Sequence, residues 1–326
     1  MQIGITGATG FVGHHVEQFA QECKSKVIRF SRHPKKGDRL FNTSVIPDVN
    51  GCDALIHLAG ESIFGPWTKS KQHKILESRR EGTRRLVEGI TKASIQPKVF
   101  ICASAIGYYG DRGESLLDES FSQGDGFLAS VVHAWEEEAL QAVRYGVRVV
   151  CLRFGLILGN NGGFLKKALP FFRYGLGTQL GNGQQWMSCI HLDDLTRMIL
   201  WCLQEKKVKG IFNAVMPTPI TNKDFTKALA QAVHRPAFLQ VPAWILRSLL
   251  GNFSHLLLDS QRVIPKRALE AGFHFRYPTV GEALKNFLTG IGVNEVITFN
   301  AQNLHQDSAL HPHSDAVYKT PQSEYL

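Results

Sequence analysis

Long apolar runs are missing from this chain. No stretch approaches the ~20 residues that cross a bilayer, and even Ala243–Gly251 is interrupted by Arg247, so no membrane span is expected. The opening segment, MQIGITGATG, lacks a basic start, an apolar centre and a small-residue cleavage site, and it reads directly as a strand and turn. The six cysteines (Cys23, Cys52, Cys102, Cys151, Cys189, Cys202) have no CxxC spacing and lie mostly in apolar segments. They are expected to be reduced core thiols of a cytoplasmic protein. Metal-ligand spacing and internal repeats are also missing, and no metal is expected.

Acidic residues are in the minority, 28 against 37 Lys+Arg, for a net charge of +9. The imbalance is local. From Gly290 onward one base, Lys319, faces Glu295, Asp307, Asp315 and Glu324, which leaves that tail at −3 and the residues before it at +12. A basic body attracts nucleic acid, an anionic membrane or an anionic small molecule. The bases are spread over helices such as Lys69–Arg85 without an aromatic-basic module, so the expected partner is a small-molecule substrate, with neither nucleic acid nor membrane. A homodimer is also allowed.

The length, 326 residues with 44% hydrophobic and 20% charged, excludes a largely disordered chain and allows two domains. Short, continuously apolar runs alternate with amphipathic ones. Strands are expected at Gln2–Thr6, Lys26–Ser31, Asp53–Leu58, Lys98–Ser104 and Arg148–Arg153. Helices are expected at Phe11–Lys24, Trp67–Ala93 and Phe127–Tyr145. This is an α/β pattern, a Rossmann-type doubly wound parallel sheet with a small C-terminal substrate-side domain. Residues 1–160 form the dinucleotide-binding domain, with its sheet completed by 189–215. Residues 161–289 form the smaller domain, and 290–326 a disordered tail whose His305, His311 and His313 read as polar tail rather than metal ligands.

The most specific motif is TGATGFVG, Thr6 to Gly13, between the first strand and first helix. Gly7 permits the tight turn, Gly10 lets the backbone approach a pyrophosphate, and Gly13 lets helix and strand pack closely. Thr9 lies in the turn, and the N–H groups at Phe11 and Val12 face the phosphates. At the end of the second strand, IRFSRHPKK, no acid occurs between Lys24 and Gly37. An acid there would hold the ribose hydroxyls of NAD, whereas a 2′-phosphate needs a cation. Ser31 and Arg32, with Lys35 and Lys36 nearby, therefore favour NADP(H).

These residues, together with LAGES (Leu58–Ser62), ASAIGYYG (Ala103–Gly110), LRFGLILG (Leu152–Gly159) and IHLDDL (Ile190–Leu195), resemble an extended short-chain dehydrogenase/reductase. LGNGQQWMSCIHLDDL (Leu180–Leu195), PITNKDF (Pro219–Phe225) and PKRALEAGFHFRYPT (Pro265–Thr279) narrow the resemblance to the atypical epimerase family protein subfamily, NAD-dependent epimerase/dehydratase-like, over Met1 to about Leu288. The resemblance implies that Leu58, Ala59 and Gly60 pass under the adenosine and ribose. It turns Arg79 toward the cofactor, sets Leu156 and Ile157 beside the nicotinamide, and points Glu61 at the cofactor or substrate. His191, Asp193 and Asp194 match a histidine-aspartate element, read here as structural, its carboxylates capping the next helix.

One expected feature is lacking. The resemblance calls for a Tyr with a Lys four residues later. Aligning Glu136 with the family's usual acid puts Leu128 and Val132 in those places, and Ala105 at the usual Ser/Thr position beside Ser104. Any acid or base must come from elsewhere. Tyr109, Ser104 and Glu61 are the candidates, with Tyr108 and His133 nearby. Tyr109 reads equally as an aromatic packed on the sheet edge, and His133 as a solvated helix face beside Glu136 and Glu137. Gln184, Trp186 and Ser188 suit either a polar substrate wall or a structural loop. Arg153, Lys166 and Lys167 could attract an anionic ligand. The chain thus reads as an NADP(H)-dependent oxidoreductase or epimerase of a small polar substrate, or as a degenerate NADP(H) sensor.

Overall fold

Runs rich in Val, Ile, Leu and Phe make strands buried on both faces at the centre of the sheet, while the strands at Lys26–Ser31 and Arg39–Leu40 are largely half-exposed or exposed. In the computed structural model, which describes residues 1–160 and 162–288, seven strands form one sheet. They are β1 (Gln2–Thr6), β2 (Lys26–Ser31), β3 (Arg39–Leu40), β4 (Ala54–His57), β5 (Val99–Ala105), β6 (Arg148–Phe154) and β7 (Gly210–Ala214). The order across the sheet is β7, β6, β5, β4, β1, β2, β3, and every pairing is parallel. The helices are α1 (Phe11–Glu22), α2 (Lys69–Lys92), α3 (Phe127–Leu140), α4 (Gly163–Arg173), α5 (Leu192–Gln204) and α6 (Asn222–Ala232), with shorter ones after them.

Because side chains alternate along a strand, the sheet serves two cores. Ile3, Ile5, Ala54, Ile56, Ile101, Val150 and Leu152 pack with Val16 and Ala20 of α1 and Leu195, Met198 and Ile199 of α5. Leu55, Phe100, Cys102, Val149 and Cys151 pack with Leu86 and Ile90 of α2 and Trp135 and Ala139 of α3. Helices on both faces make the arrangement doubly wound. Strand order reverses between β1 and β4, and that reversal opens a crevice at the carboxyl ends of the strands.

Two expectations shift. The expected helix to Tyr145 ends at Leu140 and continues as a 3-10 turn over Gln141–Tyr145. Cys189–His191, expected to rejoin the main sheet, pairs instead with Leu156–Leu158 in a separate ladder. The cause lies at Gly155. Its N–H donates to Ala214 in the main sheet (3.1 Å), while the next N–H, on Leu156, donates to Ser188 (2.8 Å). A Cβ on Gly155 would stand 2.4 Å from the Ser188 carbonyl, so only glycine lets the chain change partners there. Beyond it a third core gathers Leu165 and Phe172 of α4, Phe225 and Leu229 of α6, and Val280 and Leu284 of the helix Val280–Leu288. The tail at 290–326, with His305, His311 and His313, lies outside the described residues.

Candidate functional site

The turn after β1 is shaped by backbone crowding. Gly7 has φ +71°, and a Cβ there would meet the Leu58 carbonyl carbon at 2.8 Å. A Cβ on Gly13 would lie 2.1 Å from the Gly7 oxygen, so α1 can approach β1 this closely only with glycine. Gly10, the residue before α1, donates to the Gly7 oxygen (2.9 Å), and no side chain caps the helix. The first N–H groups of α1 thus meet the crevice uncapped, at the positive end of the helix dipole. Thr9 is exposed at the tip of the turn.

The end of β4 is tied to this turn by a threonine. Thr6, 1% exposed, accepts the N–H groups of Leu58 (3.1 Å) and Ala59 (3.2 Å) at its hydroxyl. With both N–H groups accepted there, its own proton goes to Nδ1 of His57 (2.7 Å), and Nε2–H of His57 donates to Thr83 (3.0 Å). Burial, with the nearby Arg79 charge adding, lowers the His57 pKa to about 3, so the imidazole stays neutral. This relay fixes Leu58–Ala59 at the crevice floor. Next along the chain is Gly60, where a Cβ would lie 3.3 Å from the Arg79 guanidinium carbon. Arg79 donates to the Glu61 and Ile75 carbonyls (3.0 and 3.2 Å), and burial lowers its pKa to about 10. Among the described residues no carboxylate forms an ion pair with it, so it remains a half-buried cation at the crevice.

Glu61 is placed differently. Its carboxylate accepts Lys71 Nζ at 2.6 Å, and that bond, with further pull from the Lys71, Arg32 and Lys74 charges, lowers its pKa. It is an ionised, paired group. Arg32 and both lysines after it are exposed. Ser31 accepts the His33 N–H (3.2 Å). On the other flank, the Phe11 ring is walled by glycines. A Cβ on Gly162 would lie 2.2 Å from the ring and one on Gly159 2.7 Å. This packing holds the strand that carries Ile157 against the cofactor turn.

The expected Tyr-Lys positions are apolar in space as well. Leu128 joins Trp67, Ile75, Val131, Phe127 and Phe253 in a hydrophobic cluster, and Val132 is buried. Beneath them runs a sealed polar network. Arg153, 1% exposed, binds Glu136, 4% exposed, through Nε and Nη2, both at 2.8 Å. Ser104, the register partner of Arg153 across β5 and β6, donates to Glu136 at 2.5 Å. The Tyr109 phenol accepts Arg153 Nη1 (3.0 Å) and donates to Asn213 Oδ1 (2.8 Å). Asn213 Nδ2 reaches the Ile264 carbonyl (3.0 Å). Burial pushes the Tyr109 pKa up to about 12. Tyr109 is therefore fully buried and committed at both ends, and Ser104 is committed to Glu136. The expectation that Arg153 attracts a ligand is corrected, because Glu136 neutralises it in the interior.

Tyr108 stands apart. It is half-buried, and the Arg153 guanidinium lies 3.5 Å from its ring centroid. Its hydroxyl has no partner among the described residues and is not sealed from solvent. Within GYYG, then, one phenol braces the interior and the other is open. Sequence reasoning favours Tyr109, because side-chain direction on the 3-10 turn Ile106–Tyr109 has no periodic signal.

The histidine-aspartate element is structural, but by a different division of labour. His191, not a carboxylate, caps α5, accepting the Asp193 N–H at Nδ1 (3.0 Å). Its ring stacks against Tyr277 and Phe287, at 3.9 and 4.4 Å, and burial lowers its pKa to about 4. Asp193 binds His15 (2.9 Å). Asp194, 0% exposed, accepts the N–H groups of Arg276 and Tyr277. Ser188 is likewise committed, bonded to Gln261 and Val263. His133 is exposed, as expected for a solvated helix face.

The comparisons with known proteins agree with this geometry. The profile of the NAD dependent epimerase/dehydratase family matches residues 3–214, and a domain of unknown function matches 241–287. The chain is 35% identical over 299 residues to an Arabidopsis thaliana protein described as "Epimerase family protein SDR39U1 homolog, chloroplastic" (87% of this chain, 86% of that one). It is also 35% identical to the Bacillus subtilis epimerase family protein YfhF, covering 88% of this chain and 98% of that one. The crystal structure of human epimerase family protein SDR39U1 (isoform 2) with NADPH superposes with a TM-score of 0.82 at 32% identity, over 89% of this chain and 100% of that one. This chain belongs to the NAD dependent epimerase/dehydratase family.

Proposed function

We propose that the protein binds NADP(H) and transfers hydride between it and a small polar substrate, with Tyr108 exchanging the proton. The observation that carries this reading is the uncapped start of α1 behind Gly7 and Gly13 at the strand-order reversal. Exposed Arg32 completes the fit, because no acid stands at the end of β2 to hold ribose hydroxyls. The human relative, crystallised with NADPH, supports the same choice. Bound there, the cofactor supplies a hydride at the carboxyl edge of the sheet. The α1 N–H groups would hold the pyrophosphate, Ser31 and Arg32 the 2′-phosphate, and the Thr6-pinned Leu58–Ala59 backbone the adenosine side. Arg79 adds positive potential beside Gly60, and Ile157 flanks the nicotinamide. Free thiols throughout, five of the six buried, support a reducing, cytoplasmic setting.

Arg32→Asp is expected to weaken NADPH binding about ten- to hundredfold, the worth of a charge-assisted contact, while NADH changes little. Titration of both cofactors by nicotinamide fluorescence checks this, and equal losses would refute the assignment. For the proton, Ser104, Tyr109 and Glu61 are all engaged, which leaves the open Tyr108 phenol as the donor. In a screen of small carbonyl compounds, Tyr108→Phe should cut NADPH-consuming turnover by roughly 10²- to 10⁴-fold without changing NADPH affinity. Turnover that survives the substitution rejects that role. A second reading, an NADP(H) sensor without turnover, is favoured by Leu128 and Val132 in their apolar surroundings. Tight NADPH binding with no turnover across the screen would establish it.

A further inference from the structure

Most buried or half-buried cations of this chain have assigned acceptors. Arg153 has Glu136, Arg197 has Asp194, and Arg148 has the carbonyls of Cys202, Leu203 and Val208. Arg262 differs. It is half-buried, its Nε is sealed from solvent with no hydrogen-bond partner, and among the described residues no carboxylate lies within ion-pair distance. A guanidinium that has shed part of its hydration and gained no acceptor is held at a cost. A ligand oxygen on the open Nη groups would offset that cost.

The surroundings fit a built site. The Arg262 guanidinium lies 4.3 Å from the Trp186 ring centroid, and its terminal Nη groups, unlike Nε, are neither sealed nor bonded within the described residues, so they can meet the oxygens of an anion. Trp186 is itself fixed. Its indole N–H donates to Glu114 at 2.6 Å and its backbone N–H to Ser260 (3.1 Å). Glu114 is turned to that indole, Asp111 to the N–H groups of Gly113 and Ser260, and Asp259 to His255, and none of the three forms an ion pair with Arg262. The strand Arg262–Val263 pairs with Leu116–Leu117. Its alternation turns Val263 into the core beside Tyr109, and the preceding Gln261 donates to the Gly110 carbonyl (3.1 Å). The strand that carries Arg262 is thus tied, through Gln261, to Gly110, two residues after Tyr108.

We propose that Arg262, seated on Trp186, is an anion site that binds a carboxylate or phosphate group of the substrate. The inference rests on the hydride-transfer reading for the identity of the ligand, but the site itself can be tested without turnover. Benzoate and phenyl phosphate, which offer a planar ring to the indole with either anion, serve as probes, with inorganic phosphate as a third. Each is titrated into the NADPH-loaded full chain by calorimetry, and the Trp186 indole N–H is followed by NMR.

At least one aryl probe is expected to bind and shift that signal. Arg262→Gln should lower its affinity tenfold or more and Arg262→Lys less, with NADPH affinity and Tm unchanged in the lysine variant. A preference for benzoate or for phenyl phosphate identifies the anion. Probe binding unaltered by Arg262→Gln, or none in the native chain, overturns the site. If NADPH fails to bind while the probes still bind through Arg262, the cofactor reading fails and the anion site stands.

Discussion

Glu136→Leu is expected to lose about 3–5 kcal/mol of stability, because it strips the partner from a guanidinium that cannot reach water. Arg153 is 1% exposed, and without the two 2.8 Å bonds to Glu136 it keeps only the Tyr109 hydroxyl as a polar neighbour. Ser104 would lose its acceptor as well. For a chain of this size the loss corresponds to a fall in Tm of roughly 10 °C, readable by calorimetry and by the urea midpoint. The double variant Glu136→Leu/Arg153→Met should recover most of the loss, since a buried ion pair replaced whole by apolar groups is close to neutral. A single variant that costs less than about 1 kcal/mol would mean that the network is hydrated and weak.

Gly13→Ala is expected to abolish measurable NADPH binding. The added methyl meets backbone, not a yielding side chain: the Gly7 oxygen at 2.1 Å, the Gly7 carbonyl carbon at 2.8 Å and Ala8 Cα at 2.9 Å. Relief requires α1 to move off β1, which carries its N–H groups out of reach of a pyrophosphate. Losing two such charge-assisted bonds, each worth about 1.5–3 kcal/mol, weakens binding by more than about hundredfold. The overpacking itself costs about 1–3 kcal/mol of stability. Gly10→Ala serves as the graded control, because its methyl would meet the Gly7 oxygen only at 3.2 Å. Binding by Gly13→Ala within tenfold of the native chain would rule out this turn as the phosphate cradle.

What the sequence discloses follows the range of the physics involved. Continuous apolar strands and a glycine-punctuated turn are local signals, so five sheet strands and the helices around them are legible to within a few residues. The partner change at Gly155 is not, because it depends on a carbonyl of Ser188, far along the chain. The same holds at the site. Gly7, Gly10 and Gly13 announce themselves by spacing, whereas the Thr6 hydroxyl, which ties β1 to Leu58 and Ala59 through hydrogen bonds spanning over fifty residues, looks like any strand-end threonine. Tyr108 and Tyr109 are neighbours of identical chemistry, and only the positions of Arg153 and Asn213 decide which one is buried. For His191 the helix-start pattern points to the aspartates, since the amide acceptance by Asp194 from Arg276 and Tyr277 cannot be foreseen from a cap motif.

The stitching of residues 264–287 into the sheet bears on the order of events during synthesis. Asp194 at the start of α5 takes its amide donors from Arg276 and Tyr277, Asn213 of β7 donates to Ile264, and the His191 ring is covered by Tyr277 and Phe287. Until residues 264–287 have left the ribosome, the Asp194 carboxylate has Arg197 but lacks both amide donors, and the His191 imidazole is uncovered. The sheet as far as β6 can collapse early, but these polar bonds of residues 191–213 wait for residues 264–287 to be made.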